Sequence, residues 1–309
     1  MLSDEKILIT GPAGQIAFPM ARDLAKDNEV WGIARFGDPA TRTQVEDVGV
    51  KTLAIDLADP DFSELPNDFT YVLHLAVVQV AGLDYDFAIR ANAEGTGLLL
   101  HHCRTAKAAL VMSTHSVYKP PVDGDPWHVF KETDPLGDVN AAHAPSYSMS
   151  KISQEAVART CARLFDLPVT IARMNASYGP DGTGGLPIMQ MDALMAGNPV
   201  TTRWDPCMYM PIHTDDITAQ TEALLDGASS TEATIVNWAG DEPVSVQEWC
   251  AYIGELAGMD PVVNAIPVEG TLRGSVTDNT KRLSLTGPCK VNWRDGIRDA
   301  FEKRHGATK

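Results

Sequence analysis

The sequence predicts an α/β fold in which a parallel sheet is doubly wound, with helices on both faces, and is followed by a smaller, mixed C-terminal region. In the first half of the chain, short apolar runs alternate with amphipathic segments, which is the pattern of βαβ units. The runs are almost entirely apolar, as expected of strands that are covered on both faces. With 309 residues, the chain is long enough to bury a large core.

The elements follow in order along the chain. The predicted strands are residues 6–10, 29–34, 50–55, 70–76, 108–113, 168–173 and 234–239. Helical periodicity appears near residues 14–27, 84–105 and 146–166. After Arg173 the alternation gives way to a Gly/Pro-rich stretch at 178–187, so we expect a first domain and a separate second region. The first comprises residues 1–175 plus about 209–240, and the second comprises residues 176–208 plus 241–309.

Charge and cysteine content exclude several kinds of partner. The chain carries 25 Lys and Arg against 41 Asp and Glu, a net charge of -16, which repels nucleic-acid phosphates and anionic membranes. Its 5 cysteines contain no CxxC pair and no His cluster has metal-ligand spacing, which argues against a metal site and for a reducing compartment. No basic segment precedes the first apolar run, and no run reaches membrane-spanning length. We therefore expect a cytoplasmic protein that acts on a small molecule.

A glycine-containing turn follows the first predicted strand. Gly11 and Gly14 stand in the spacing GxxGxxA, and Gln15 and Ile16 lead into the first predicted helix. Glycines here allow a tight turn, so that a pyrophosphate can bind the N–H groups and positive dipole at the helix N-terminus. The alternative is an ordinary strand-to-helix turn.

Tyr147 and Lys151 lie four residues apart in the third predicted helix, so their side chains project from one face, one turn apart. A phenol with a reference pKa of about 10 is a poor base at neutral pH, but an adjacent ammonium lowers that pKa. We therefore predict that Tyr147 is a general acid and base that Lys151 activates. Such a pair is otherwise an ordinary surface pair.

In order and spacing, these motifs resemble the extended branch of the short-chain dehydrogenase/reductase superfamily, the NAD-dependent epimerase/dehydratase family, whose members have a Rossmann fold. The resemblance spans nearly the whole chain. It rests on GPAGQIA (11–17), NAEGT (92–96), STHSVY (113–118), YSMSK (147–151), RMNASYGP (173–180), IHTDDI (212–217) and DNTKR (278–282).

The resemblance implies roles for the catalytic residues. Thr114 corresponds to the hydroxyl that orients the substrate oxygen while Tyr147 exchanges its proton, and Ser113 is the alternative. Lys151 also holds the nicotinamide ribose. Asn92 supports a proton relay through water to the lysine.

The resemblance also implies a dinucleotide cofactor in the first domain. Arg35, at the end of the second predicted strand, suits a 2′-phosphate and favours NADP, while the nearby Asp38 keeps NAD open. Asp56 and Leu57 are expected at the adenine and Ala76 beside the cofactor ribose. The full set of implied cofactor contacts is Gly11, Gly14, Gln15, Ile16, Arg35, Asp56, Leu57, Ala76, Lys151 and Asn175.

The substrate is expected to be weakly charged. Members that act on nucleotide sugars clamp the diphosphate with arginines, and Tyr209 occupies the first of these positions, although Arg203 and Arg273 are nearby. Where 4,6-dehydratases carry an acidic pair after the catalytic Thr, this chain has His115 and Ser116, which disfavours dehydration. The predicted substrate contacts are Thr114, His115, Tyr147, Asn175 and Tyr209.

Three functions remain open from the sequence. The first is an NAD(P)-dependent oxidoreductase that transfers hydride between nicotinamide and a secondary alcohol or ketone. The second is an epimerase that returns the hydride to the other face of a transient ketone in a sugar or nucleotide sugar. The third is a cofactor-sensing regulator without catalysis. The resemblance also implies a homodimer that forms through the helices near 84–105 and 146–166.

Overall fold

A computed structural model of the chain describes residues 2–79, 84–137, 145–181 and 184–306. Its strands are β1 Lys6–Thr10, β2 Glu29–Ala34, β3 Lys51–Ala54, β4 Tyr71–His74, β5 Ala108–Thr114, β6 Val129–Phe130, β7 Val169–Met174, β8 Ser177–Tyr178, β9 Val200–Thr202, β10 Met208–Tyr209, β11 Ile212–His213, β12 Thr234–Trp238, β13 Val244–Ser245, β14 Val263–Ala265 and β15 Val276–Thr277. Its α-helices are α1 Ala17–Leu24, α2 Pro39–Glu46, α3 Tyr85–Ile89, α4 Gly95–His102, α5 Tyr147–Phe165, α6 Gly185–Met195, α7 Thr214–Asp226, α8 Val246–Ala257, α9 Thr280–Thr286 and α10 Trp293–His305. A π-helical turn spans Arg90–Glu94 and a 3-10 turn spans His115–Val117.

Seven strands form one central sheet in the order β12-β7-β5-β4-β1-β2-β3. The pairs β1–β2, β1–β4, β2–β3 and β4–β5 are parallel. Every apolar run that the sequence predicts as a strand contributes to this sheet, and the run 234–239 returns to it as the edge strand β12. The predicted doubly wound α/β class is confirmed.

Burial of the central strands explains their composition. All residues of β5 are buried, and Ile7, Leu8 and Ile9 of β1 have no exposed side-chain surface. A strand with helices on both faces buries every side chain, which is why its sequence is continuously apolar rather than alternating.

The chain divides into two compact units. The first unit comprises Met1–Val117, Ala141–Arg173 and Thr218–Val236, and the second comprises Tyr118–Asn140, Met174–Ile217 and Asn237–Lys309. The second unit thus includes residues 118–140 and 209–217, which the sequence analysis places in the first domain. The physical reason lies in long-range pairing within the second unit, where β6 pairs with β15 and the Tyr118 hydroxyl donates to Asn237 Oδ1 at 2.6 Å.

The second unit has a hydrophobic core of its own. Trp249 of α8 is fully buried there, together with Ile188 of α6 and Ile297 of α10. Residues 182–183 of the predicted Gly/Pro-rich stretch lie outside the described residues. In the part of the chain that the structure describes, no helix combines the length and the apolar composition needed to cross a bilayer.

Candidate active site

The turn after β1 is shaped for close approach of another backbone. Gly11 has a φ of 67°, a conformation that favours glycine, and a Cβ there would lie 3.2 Å from the Cα of Ala76. A Cβ on Gly14 would lie 3.1 Å from the Gly11 carbonyl oxygen. The Gln15 Nε2 atom is buried and has no acceptor among the described residues. Ile16 is the N-cap residue of α1. The glycines therefore let the turn pack closely against the backbone of Ala76, and Gln15 Nε2 is a donor beside it that none of the described residues satisfies.

A groove of about 330 Å³ opens beside this turn. The predicted cofactor residues that line it are Gly11, Gly14, Arg35, Asp56, Leu57 and Ala76. It lies at the carboxyl ends of β1 and β4, where the order of the sheet reverses and where open α/β sheets bind ligands. These residues, together with the turn that no Cβ fills, fit a dinucleotide.

Arg35 and Asp38 differ in their availability to a ligand. Arg35 is exposed at the end of β2 and lines the groove. The carboxylate of Asp38 instead caps α2, where its Oδ1 accepts from the Ala40 N–H at 2.9 Å. Of these two side chains, Arg35 is thus the one that lines the groove, while the carboxylate of Asp38 is used as a helix cap.

The phenol of Tyr147 lies at the carboxyl end of β5. The side chains of Thr114 and Gln79 hydrogen-bond to it. Burial raises the pKa of Tyr147, and these two hydrogen bonds oppose the increase. The structure thus brings Thr114 and Tyr147 together, as the sequence predicts, and adds Gln79 from the chain after β4.

Lys151 is buried one helical turn from Tyr147. Its Nζ donates to the Met112 carbonyl oxygen and to Gln154 Oε1, both at 2.8 Å. Burial lowers the pKa of Lys151 to about 7, and the charge of Glu155 opposes this change. The sequence predicts a lowered phenol pKa, but in the protein alone the phenol pKa is raised, because desolvation disfavours the phenolate.

Ser113, the alternative catalytic hydroxyl, is hydrogen-bonded to the buried ion pair of Glu155 and Arg173. Its Oγ donates to Glu155 Oε1 at 2.6 Å, and Arg173 Nη2 donates to Glu155 Oε2 at 2.7 Å. All three side chains are buried. Because the Ser113 proton is used there, Thr114 is the better candidate for contact with substrate.

The side chain of Asn92 fixes the chain after β4 against α5. Its Oδ1 accepts from the Val78 N–H at 2.9 Å, and its Nδ2 donates to the Val78 carbonyl oxygen at 2.8 Å and to Ser150 Oγ at 3.0 Å. Asn92 lies in the π-helical turn, a feature that is frequent at functional sites. Its part in a proton relay stays a prediction.

Two predicted ligand contacts lie in the second unit. Asn175 Oδ1 accepts from the N–H groups of Ala176 and Met210, and its Nδ2 donates to the Ser275 carbonyl oxygen at 2.6 Å. The Tyr209 hydroxyl accepts from Arg203 Nη2 at 3.2 Å. Both side chains are thus held by neighbours of their own unit.

A second cation of this unit lies against an aromatic ring. The Arg273 guanidinium lies 4.2 Å above the centre of the Trp204 ring, whose Nε1 donates to Thr271 Oγ1 at 2.8 Å. The remaining predicted substrate contact, His115, is buried in the 3-10 turn that follows β5.

Sequence reasoning missed three polar residues of this site. Gln154 and Glu155 follow Lys151 by three and four residues, so helical periodicity places them on the same face of α5 and is the signal that finds them. Gln79 has no such signal, because its position depends on the path of the chain after β4.

The family of the chain follows from comparison with known proteins. A family model described as the NAD dependent epimerase/dehydratase family matches residues 7–200. The chain belongs to this family, which confirms the resemblance seen in the sequence and the expectation of an enzyme.

Individual relatives are more distant. The probable UDP-glucuronate 4-epimerase of Rhizobium meliloti is 23% identical over 313 residues, which cover 85% of this chain and 86% of that protein. The Bacillus cereus UDP-glucuronic acid 4-epimerase, solved with UDP-glucuronic acid and NAD, is 22% identical with a TM-score of 0.82 over 96% of this chain and 98% of that one. The Thermus thermophilus UDP-glucose 4-epimerase, solved with NAD, is 24% identical with a TM-score of 0.79 over 98% of this chain and 100% of that one. Likenesses of this degree show the fold.

Proposed function

We propose that the protein is a nicotinamide-dependent epimerase that inverts a secondary alcohol of a nucleotide sugar. The observation that carries the proposal is the hydrogen bonding of Thr114 to Tyr147 at the carboxyl end of β5, in the unit that holds the dinucleotide groove. From the sequence, net oxidation or reduction is the first expectation and epimerisation is the second. The family match and the epimerases among the related structures support the second function over the first.

The reaction requires one proton acceptor and one hydrogen-bond donor at the substrate oxygen. The bound nicotinamide supplies a reversible hydride acceptor. Tyr147, as phenolate, takes the hydroxyl proton while the C–H bond breaks, and it returns the proton when hydride is added to the other face of the ketone. Thr114 donates to the same oxygen and fixes its position. The positive charge of Lys151 stabilises the phenolate.

The cations of the second unit support a nucleotide sugar as substrate. Tyr209 stands where family members that bind nucleotide sugars carry an arginine, but the Arg203 guanidinium donates to its hydroxyl, so a cation lies directly beside that position. Arg273 supplies a second guanidinium in this unit. Diphosphates are recognised by such groups. The second candidate function, net redox chemistry on a weakly charged substrate, is favoured by Tyr209 itself and by the net charge of -16.

Isotope transfer separates the two candidate functions. The protein is incubated with UDP-glucose, UDP-glucuronic acid or UDP-N-acetylglucosamine that carries deuterium on the carbon of the inverted hydroxyl. We expect an epimeric product that retains the deuterium, with no net formation of reduced nicotinamide, because the hydride returns to the carbon that it left. Stoichiometric accumulation of reduced nicotinamide and a ketone would contradict epimerisation and support the second candidate.

We further propose that the protein prefers NADP, although the related structures described above contain NAD. The exposed Arg35 supports this preference. Replacing Arg35 with Ala is expected to weaken NADP+ binding by about 10-fold or more, since a hydrogen bond to a charged group contributes about 1.5–3 kcal/mol. The Kd of NAD+ should change by less than about twofold, as measured by calorimetry. Arg42→Ala is the matched control, because the Arg42 side chain is bound to Glu46 and Thr52. Equal affinities of the unaltered protein for NAD+ and NADP+ would refute the preference.

We also propose a homodimer that forms through α4 and α5. Leu98 of α4 and Leu164 of α5 support it, because both are large apolar side chains with at least half of their surface exposed. Sedimentation equilibrium measures the solution mass directly. The cytoplasmic location stays a prediction of the sequence.

A further inference from the structure

A line of buried hydrogen bonds begins at the dinucleotide groove. The N–H of Ala76, which lines the groove, donates to Thr10 Oγ1 at 2.9 Å. Thr10 Oγ1 lies 2.8 Å from His74 Nδ1, and His74 Nε2 lies 2.7 Å from Thr96 Oγ1. The side chains of Thr10, His74 and Thr96 are buried, so each polar atom depends on these protein partners.

The same line ends at the catalytic lysine. Gln154 Nε2 lies 2.9 Å from Thr96 Oγ1, and Gln154 Oε1 lies 2.8 Å from Lys151 Nζ. Gln154 has no exposed surface. Its amide therefore joins the polar interior beneath the groove to the lysine that the proposed reaction uses.

The direction of every bond in this line follows from the single proton of Thr96. The Thr96 hydroxyl donates to the Asn92 carbonyl oxygen at 2.6 Å, so it has no second proton to give. Both other neighbours of its oxygen, His74 Nε2 and Gln154 Nε2, must then donate to it. His74 consequently carries its proton on Nε2 and accepts at Nδ1 from the Thr10 hydroxyl.

The charge state of His74 agrees with this assignment. Burial, together with the charge of Lys151, lowers the pKa of His74 to about 3, so the ring is neutral and one of its nitrogens can accept. Because the ring does not titrate near neutral pH, the direction of the line is the same throughout the range in which the enzyme would work.

We propose that Gln154 is a positioning residue that presents a fixed, acceptor-only oxygen to the Lys151 ammonium and keeps that group charged and directed away from bulk solvent. Since Gln154 Nε2 is committed to Thr96, the amide cannot flip, and Oε1 must face Lys151. The Met112 carbonyl oxygen is the second fixed acceptor. This role rests on the proposed chemistry of Tyr147 and Lys151.

The other titratable groups near Lys151 are either already paired or uncharged in the protein alone. Among the described residues, Glu155 on α5 and His74 on β4 are the titratable groups whose charge is linked to that of Lys151 in the protein alone. The proposed reaction adds Tyr147 as a phenolate. Glu155 is already paired with Arg173 of β7, and His74 is neutral. Because the Glu155 carboxylate is already paired with Arg173, the buried Lys151 ammonium also depends on neutral hydrogen-bond acceptors. Gln154 is one of these acceptors.

Two substitutions with opposite electrostatic effects test the proposal. Gln154→Leu removes the acceptor, and we expect the Lys151 pKa to fall by about one unit or more, because a hydrogen bond favours the charged form. Gln154→Glu replaces the neutral acceptor with a carboxylate, and we expect that pKa to rise. The pKa is measured by NMR titration of the protein with ¹³C-labelled lysine, in which the Lys151 signal is the one that is missing from Lys151→Met.

The same variants give a kinetic test. The alkaline limb of the kcat profile should move to lower pH in Gln154→Leu and to higher pH in Gln154→Glu, while KM stays within about twofold. Ser153→Ala is the matched control, since the Ser153 hydroxyl donates within its own helix to the Met149 carbonyl oxygen. If Gln154→Leu does not fold, as judged by circular dichroism, Gln154→Glu alone decides the outcome.

The two readouts separate this proposal from the proposed function. Opposite NMR shifts in a protein without epimerase activity would uphold the role of Gln154 and reject epimerisation. Normal epimerisation with an unchanged Lys151 pKa in both variants would overturn the role of Gln154. Shifts of the Lys151 pKa in the same direction in both variants would also overturn it. Such shifts would indicate a structural disturbance, because an electrostatic effect has to follow the sign of the introduced charge.

Discussion

Replacing Tyr147 with Phe is expected to reduce turnover strongly while leaving cofactor binding intact. The substitution removes one oxygen, to which Thr114 and Gln79 hydrogen-bond and which exchanges the substrate proton in the proposed reaction. General acid and base groups contribute a factor of about 10²–10⁴, so we expect kcat to fall by at least about 10². The Kd of the nicotinamide cofactor should change by less than about twofold, because the ring of Tyr147 is retained. Turnover is followed by the isotope assay and binding by calorimetry.

A second tyrosine provides the matched control for this experiment. Tyr71 begins β4 and is half-buried, so Tyr71→Phe removes the same oxygen from the same unit without touching the catalytic helix. Its kcat should equal that of the unaltered protein. Full activity in Tyr147→Phe would reject the assignment of Tyr147 as the acid and base.

Replacing Arg173 with Met will destabilise the protein strongly. The ion pair of Arg173 and Glu155 is almost completely buried, with side-chain exposures of 2% and 4%. Removing one partner leaves an uncompensated carboxylate in the interior, with a hydrogen bond from Ser113 as partial compensation. Breaking such a pair reduces the free energy of unfolding by about 3–5 kcal/mol. Urea denaturation measures the change.

Two further variants test whether the burial of the Arg173–Glu155 ion pair causes the loss of stability. Combining Arg173→Met with Glu155→Met removes both charges and should recover most of the lost stability, since apolar replacement of a buried pair is often neutral. Arg159 lies on α5, as Glu155 does, and forms an exposed ion pair with Glu232. Arg159→Met should therefore change the free energy of unfolding by no more than about 1 kcal/mol. An effect of Arg173→Met as small as that of Arg159→Met would contradict the argument.

The strands were predictable from the sequence because a strand that is buried on both faces consists almost entirely of apolar residues. The run 6–10 corresponds to β1, and the run 50–55 contains β3 at Lys51–Ala54. Such runs need no knowledge of the partner strand. The long helix α5 was predictable for a similar reason, since its apolar positions recur at helical spacing.

The interruption of the helix predicted near 84–105 was not predictable. The structure divides it into α3, a π-helical turn and α4. The turn contains Asn92, whose side chain binds the backbone of Val78, 14 residues earlier in the chain. A contact of that length leaves no local signal, and the same holds for the pairing of β6 with β15.

The placement of Tyr147 and Lys151 on one helix face was predictable from the sequence, but their electrostatics were not. Four-residue spacing suffices to place Tyr147 and Lys151 on one helix face. The acceptors of the lysine are another matter, because Met112 belongs to β5 and reaches Lys151 only through the packing of α5 on the sheet. The pKa values of both groups depend on that packing, so their directions required the structure.

The helix cap formed by Asp38 limits how cofactor choice can be redesigned. Its carboxylate is bound to the Ala40 N–H at the start of α2, and losing such a cap costs about 1 kcal/mol. Under the proposed preference for NADP, removing the Arg35 guanidinium would weaken NADP+ binding but would not improve NAD+ binding. A redesign of the protein for NAD therefore needs a new acidic residue at the end of β2 and has to retain Asp38 at the start of α2.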